Sequence, residues 1–257
     1  MEAPEKTIVL NTPCVLTDKK RLTASLAEAC RSRAGSALSV DFTNVHIVAM
    51  RTVDEGFHRS TSNVDWFVSD SQVLTWAISS LGAEAHERVY GPEFLDYFVR
   101  NGDAALTHYF LGASQECLDL LLRRLSEIRP ELKVVGSRNG YFSPADEEAI
   151  LASINAAKPD ILWIGLGTPK QQEWISRFKD RLDAGAVLAV GFAFDVNAGT
   201  KKDAPKWMGP LGLTWLYRLA CEPRRLWQRY FYYNSVFLAK LLRQLATGRP
   251  TGSPAAD

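Results

Sequence analysis

Between residues 107 and 195 short apolar runs alternate with amphipathic stretches, and a glycine or a helix-capping residue stands at nearly every changeover; no other feature constrains the fold as much. Thr107–Leu111 reads as a buried strand, followed by Gly112-Ala113-Ser114 and a helix over 115–125 in which Leu118, Leu121 and Leu122 recur at helical spacing. Residues 132–135 form the next strand and 144–157 the next helix, with Ser143 as N-cap and proline in the first helical position. Asp160 to Gly167 is a strand running into a glycine turn, Pro169 opens a helix to about Phe178, and 186–194 is a last strand ending in Asp195. Repetition of this order predicts an α/β fold. The expected architecture is a Rossmann-like, mostly parallel sheet with helices on both faces, binding ligands beyond the carboxyl ends of its strands.

Upstream, 36–50 reads as one long strand containing the polar pair Thr43-Asn44, and 64–71 as a shorter one. A helix over 73–81 stops at Gly82, which puts Asp70 at a strand-to-helix junction. The expected organisation is a catalytic core over 1–196, a helical appendage over 197–246 and a disordered tail over 247–257, rich in Gly, Pro, Ser and Ala.

Charge separates the same regions. The net charge of +1 argues against a nucleic-acid binder, but 204–257 carries eight Lys or Arg and two acids, against 22 basic and 27 acidic residues in the rest. Cys14, Cys30, Cys117 and Cys221 are scattered with no CxxC pair, and no charged segment followed by an apolar signal run opens the chain. No stretch reaches the roughly 18–20 apolar residues that cross a bilayer. A cytoplasmic protein whose membrane contact is peripheral is expected.

Three constellations can carry chemistry. The turn from Gly165 to Glu173 stands between strand and helix, where backbone N–H groups can hold an anion and Lys170 or Gln171 can reach a ring or a phosphate. The spacing is not GxGxxG and no acidic residue follows to read a ribose, so an ordinary tight turn stays open as the alternative. Arg218, Arg225 and Arg229 would share one face of a single helix within about 40°, an arrangement suited to a pyrophosphate. Pro223 would kink that helix, and a solvated or lipid-facing basic surface is the other reading. Nine aromatic residues between Trp207 and Phe237 also suit a membrane headgroup layer. Asp70, beside Ser69, Ser71 and Gln72, can serve as a general base or as a plain helix N-cap. The four histidines lack metal-ligand spacing and no Asp-x-Asp occurs, so protein cations rather than a metal are expected to stabilise a departing diphosphate.

Taken together, 159–174 (PDILWIGLGTPKQQEW), 190–195 with Ala198-Gly199, Ala204-Pro205-Lys206-Trp207-Met208, Trp215-Leu216-Tyr217-Arg218 and Glu222-Pro223-Arg224-Arg225 resemble the WecG/TagA/CpsF glycosyltransferase family. Arg88-Val89-Tyr90-Gly91-Pro92, Phe110-Leu111-Gly112 and Asn139-Gly140-Tyr141-Phe142 extend the resemblance over about 36–240. It implies an inverting transferase that uses a UDP-sugar without metal or cofactor. The implied acceptor is linked to polyprenyl diphosphate at the inner membrane face, in the biosynthesis of a cell-surface polysaccharide. It also implies Asp70 as base, Asn44 in the pocket, Gln171 in a loop, and Arg218 and Arg225, with Arg229, on the diphosphate. Thr43, Gln72, Arg88, Gly112, Gly167 and Lys170 complete the expected substrate-binding set. The appendage is expected to close the site and contact the membrane, and self-association is left open.

The chain departs from the family pattern at Asp70-Ser71-Gln72, at Phe42-Thr43, at Asp203-Ala204-Pro205 and at Leu213-Thr214-Trp215-Leu216, which suggests a glucose-type donor and an exopolysaccharide branch. Two rival readings stand beside the transferase. One is a nicotinamide-dependent oxidoreductase, the other a non-catalytic scaffold of a polysaccharide assembly complex.

Overall fold

The structure is a computed structural model that describes residues 4–33, 35–84 and 86–250. In chain order it runs β1 (Lys6–Val9), β2 (Thr12–Val15), α1 (Lys19–Ser32), β3 (Leu38–Thr43), α2 (Val45–Val53), α3 (Glu55–Ser60), β4 (Trp66–Ser69) and α4 (Gln72–Ser80). It continues with α5 (Gly91–Asn101), β5 (Thr107–Gly112), α6 (Gln115–Ile128), β6 (Lys133–Arg138), α7 (Glu147–Ala157), β7 (Ile161–Gly165) and α8 (Lys170–Phe178). The last elements are β8 (Ala186–Ala189), α9 (Ala193–Ala198), α10 (Thr214–Cys221) and α11 (Pro223–Thr247). The chain divides into two compact units, one of Lys19–Phe42 and 91–202, the other of Pro4–Asp18, Thr43–Tyr90 and 203–250.

The first unit is the predicted α/β alternation. Its strands lie in the order β3-β8-β7-β5-β6 and all pair in parallel. Val40, Leu188, Trp163 and Phe110 fall into line across four of them. The Trp163 and Phe110 rings lie nearly parallel, 6.3 Å apart, and both are wholly buried. The expected start at Ser143-Pro144 is a 3₁₀ turn, Pro144–Asp146, whose capping box leads into α7.

Two strands are shorter than the apolar runs suggested. The run 186–194 stops pairing after Ala189 because Gly191 turns at φ 51° and α9 begins at Ala193, so Asp195 sits in a helix rather than at a strand end. The run 36–50 ends at Thr43, since Asn44 caps α2: its side-chain oxygen accepts from His46 N at 3.1 Å and Ile47 N at 3.3 Å. The polar pair is a boundary, and Val45, Ile47 and Val48 are apolar because that helical turn is buried on all sides.

The second unit has the three strands β1-β2-β4, with β1 and β2 antiparallel and β2 and β4 parallel. Neither the β1–β2 hairpin nor α1, α3 and α5 was expected from the sequence. Residues 203–250 pack among earlier segments of this unit. Along α11, Phe237 and Leu226 are buried, Lys240 Nζ donates to Thr52 O at 3.1 Å, and Gln244 grips the hairpin turn. Gln244 accepts from Leu10 N at 2.7 Å and donates to Ile8 O at 2.8 Å, holding Leu10 at φ 60°. Thr247, expected as the first residue of the tail, ends this helix with Gly248 in the left-handed C-cap position, and 251–257 lie outside the described residues. Among the described residues no helix is long and apolar enough to cross a membrane.

Each unit holds one buried neutral histidine. Burial brings His108 down to about 4, with Asp160 opposing, and its Nδ1 accepts from Trp163 Nε1 at 3.1 Å. Burial, then the charge of Arg229, brings His46 to about 2. With folded values below the unfolded value near 6.5, the unfolded chain takes up these protons first, so folding stability is lost as pH falls through 6.5. At pH 5 the loss is on the order of 2 kcal/mol per histidine. His108→Gln is expected to flatten the fall in urea-unfolding free energy between pH 6.5 and 5; an unchanged slope would rule out His108 as a source.

Candidate functional site

β4 ends at Ser69, and the next amide, that of Asp70, donates to the Thr43 carbonyl at 2.7 Å. The N-cap of α4 is Ser71, whose hydroxyl accepts from Leu74 N at 3.3 Å, and Ser69 Oγ and Thr75 Oγ1 lie 3.0 Å apart behind it. Ser71 therefore caps the helix, and Asp70, partly exposed, lines a cavity of about 320 Å³ inside the second unit.

Asn44, His46, Gln72 and Arg88 line the same cavity, as do Arg218 from α10 and Arg229 from α11. Its other walls are largely apolar, with Val45, Val73, Trp215, Phe237 and Leu241. The one-helix arrangement of three arginines does not form. Pro223 cannot continue α10 and instead opens α11 after Glu222, so Arg225 turns outward into an ion pair with Glu222 and is absent from the lining. Arg229 is the unusual cation. Its Nε is buried and has no hydrogen-bond partner among the described residues. Burial lowers its pKa to about 10, opposed by Tyr230 and reinforced by Arg218 and Arg225, so it remains charged at neutral pH. A partly buried guanidinium facing like charges is costly unless an anion joins it.

Thr43 is fully buried and does not line the cavity; its carbonyl holds the Asp70 amide. Gly112, Gly167, Lys170 and Gln171 belong to the first unit. At Gly112, φ is 149° and a Cβ would meet the Gly165 backbone at 2.4 Å, so the two turns touch through glycine alone. Gln171 is buried and accepts from Gly167 N at 3.1 Å. Lys170 Nζ donates to Gly140 O at 2.9 Å and sits 3.9 Å from the Phe142 ring centroid.

Sequence reasoning gave no role to His46 or Asn234 and read Trp215, Tyr230 and Phe237 as membrane-facing aromatics, whereas all five are on the cavity wall. Helical spacing could have found Tyr230, Asn234 and Phe237 had the helix been started at Pro223. His46 lay hidden in a run read as strand. Among the described residues no group of three or more His, Cys, Asp or Glu side chains could hold a metal ion.

Comparison with known proteins joins these features. The chain is similar to N-acetylglucosaminyldiphosphoundecaprenol N-acetyl-beta-D-mannosaminyltransferase of Staphylococcus aureus strain NCTC 8325 / PS 47, 26% identical over 186 residues that cover 71% of this chain and 72% of that protein. The enzymes of that name from strains COL and MRSA252 match to the same extent. The glycosyl transferase WecG/TagA/CpsF family matches residues 7–251, nearly the whole length, and the chain belongs to that family.

Proposed function

We propose that this protein is an inverting, metal-independent glycosyltransferase that moves a hexosyl group from a UDP-sugar to a sugar linked to polyprenyl diphosphate. The observation that carries this reading is a cavity bearing one carboxylate, Asp70, and three guanidiniums, Arg88, Arg218 and Arg229, of which the last has a buried Nε with no hydrogen-bond partner among the described residues. Asp70 takes the proton of the acceptor hydroxyl as that oxygen bonds to the anomeric carbon. The bond from that carbon to the UDP oxygen breaks with inversion, and the arginines neutralise the charge gathering on the diphosphate. The S. aureus relatives support an N-acetylglucosaminyl-diphosphopolyprenol acceptor and make UDP-N-acetylmannosamine one donor to test beside glucose-type donors. Asn44, Gln72 and Arg88, on the cavity wall, contact the sugars. Membership of the family favours glycosyl transfer over the nicotinamide-dependent reading.

The test is release of UDP and appearance of a lipid-linked disaccharide when the protein is given a synthetic N-acetylglucosaminyl-diphosphoprenol and a panel of UDP-sugars without added metal. Absence of transfer from every donor would sink the reading.

Membrane contact at the inner face belongs to the same proposal. Trp227, Phe231, Leu238, Leu242 and Leu245 are exposed on α11 and fall within about 60° of one another around the helix, which contains no acidic residue. Phe231→Ser with Leu238→Ser and Leu242→Ser is expected to weaken binding to vesicles containing anionic lipid at least about tenfold. Unchanged sedimentation with vesicles would discard this face as the contact.

A further inference from the structure

Tyr90 lines the cavity and is almost entirely buried. Its hydroxyl donates to Asp203 Oδ1 at 2.7 Å, and that carboxylate, which also accepts from Ala204 N at 2.8 Å, is not itself on the cavity wall. An ionised carboxylate can only accept hydrogen bonds. The direction of the Tyr90 bond is therefore fixed: its one hydrogen is committed to Asp203, and its oxygen is left as an acceptor. Arg88 reinforces the arrangement, its guanidinium 4.8 Å from the centre of the Tyr90 ring. Burial, with the charges of Asp203 and Asp70, keeps the phenol protonated, while Arg218 acts in the opposite sense.

Tyr90 shares the cavity wall with both the carboxylate assigned as base and an arginine assigned to the leaving diphosphate. In an in-line displacement, the group lying between base and leaving group is the transferred sugar. We propose that Tyr90 accepts a hydrogen bond from a hydroxyl or amide N–H of the transferred hexosyl group, and that Asp203, behind the cavity wall, is the positioning residue that fixes this polarity. The inference rests on the catalytic reading above and adds a discriminating contact to it. Loss of a hydroxyl from the sugar leaves Tyr90 without its donor, whereas loss of Asp203 lets the phenol turn its hydrogen to the cavity and present the wrong polarity.

The experiment compares binding of UDP and of a UDP-hexose series lacking one hydroxyl at a time, by calorimetry on the full chain, for wild type, Tyr90→Phe, Asp203→Asn and the double variant. In wild type, one deoxy compound is expected to bind about ten- to a hundredfold more weakly than its parent. In Tyr90→Phe and Asp203→Asn that difference shrinks toward unity while UDP affinity stays as in wild type. The double variant behaves as Tyr90→Phe alone, because Asp203 acts through the phenol. Full discrimination retained in both single variants would overturn the proposal, as would additive losses. A uniform fall in affinity for UDP and all UDP-sugars, with a lowered melting temperature, would assign the pair to folding instead. Binding is read without turnover, so failure of catalysis in the wild type would count against the transferase reading and leave this test standing.

Discussion

Asparagine at position 70 is expected to lower turnover about 100- to 10,000-fold, the range that a general base contributes, while UDP binds within about threefold of wild type. The substitution keeps the volume and the backbone amide bond to Thr43 O, and the cap of α4 comes from Ser71, so the loop has no reason to move. What is removed is the capacity to take a proton from the acceptor hydroxyl. A base acts in the chemical step, so kcat is expected to fall with little change in the donor KM. Steady-state rates of UDP release, set beside calorimetric UDP binding, give both numbers. Retention of more than a tenth of wild-type turnover would remove Asp70 from the role of base, and loss of UDP binding with the fold intact would reassign it to donor recognition.

Had Asp70 been the N-cap, as its helix-start position allows, the same substitution would be nearly silent, because asparagine caps as well as aspartate. Local sequence cannot separate the two readings. Both Asp70 and Ser71 are good caps, and the choice is made by the backbone: the Asp70 amide is drawn to Thr43 O, which leaves Ser71 at the first helical turn. The same limit explains the misread strand at 36–50. A four-residue run buried on every side shows no helical period, and only the Asn44 cap reveals that Val45–Val48 is helical. The parallel strands at 107–111 and 161–165 were legible because glycine turns and capped helices punctuate them at regular intervals. The β1–β2 hairpin was not, since its strands are four residues long and its turn at Leu10-Asn11 depends on Gln244, more than two hundred residues away. The cavity is non-local in the same sense: residues 44–90 and 212–241 supply its walls, and no spacing rule relates them.

Arg229→Met separates a structural arginine from one held for a ligand, because the two readings predict opposite signs for stability. Removing an arginine that bonds to the protein would expose its former partners and destabilise the fold. At Arg229 the Nε has no hydrogen-bond partner among the described residues, burial opposes the charge, and Arg218 and Arg225 repel it, so methionine relieves a cost. The flexible thioether side chain would line the cavity with His46 and Tyr230 without a charge to desolvate. The variant is therefore expected to melt at or above the wild-type temperature in the absence of ligand. Its affinity for UDP is expected to fall about ten- to a hundredfold, the loss of a charge-assisted hydrogen bond of roughly 1.5–3 kcal/mol, and the stabilisation that saturating UDP gives the wild type should shrink with it. Turnover falls further than binding if the guanidinium tightens on the diphosphate as negative charge develops there, which a larger drop in kcat/KM than in UDP affinity would register. Truncation of the appendage cannot make this distinction, since α11 also carries Phe237 and Gln244 into the body of the second unit. A lower melting temperature with unchanged UDP affinity would make Arg229 a structural residue and leave the leaving-group charge to Arg218.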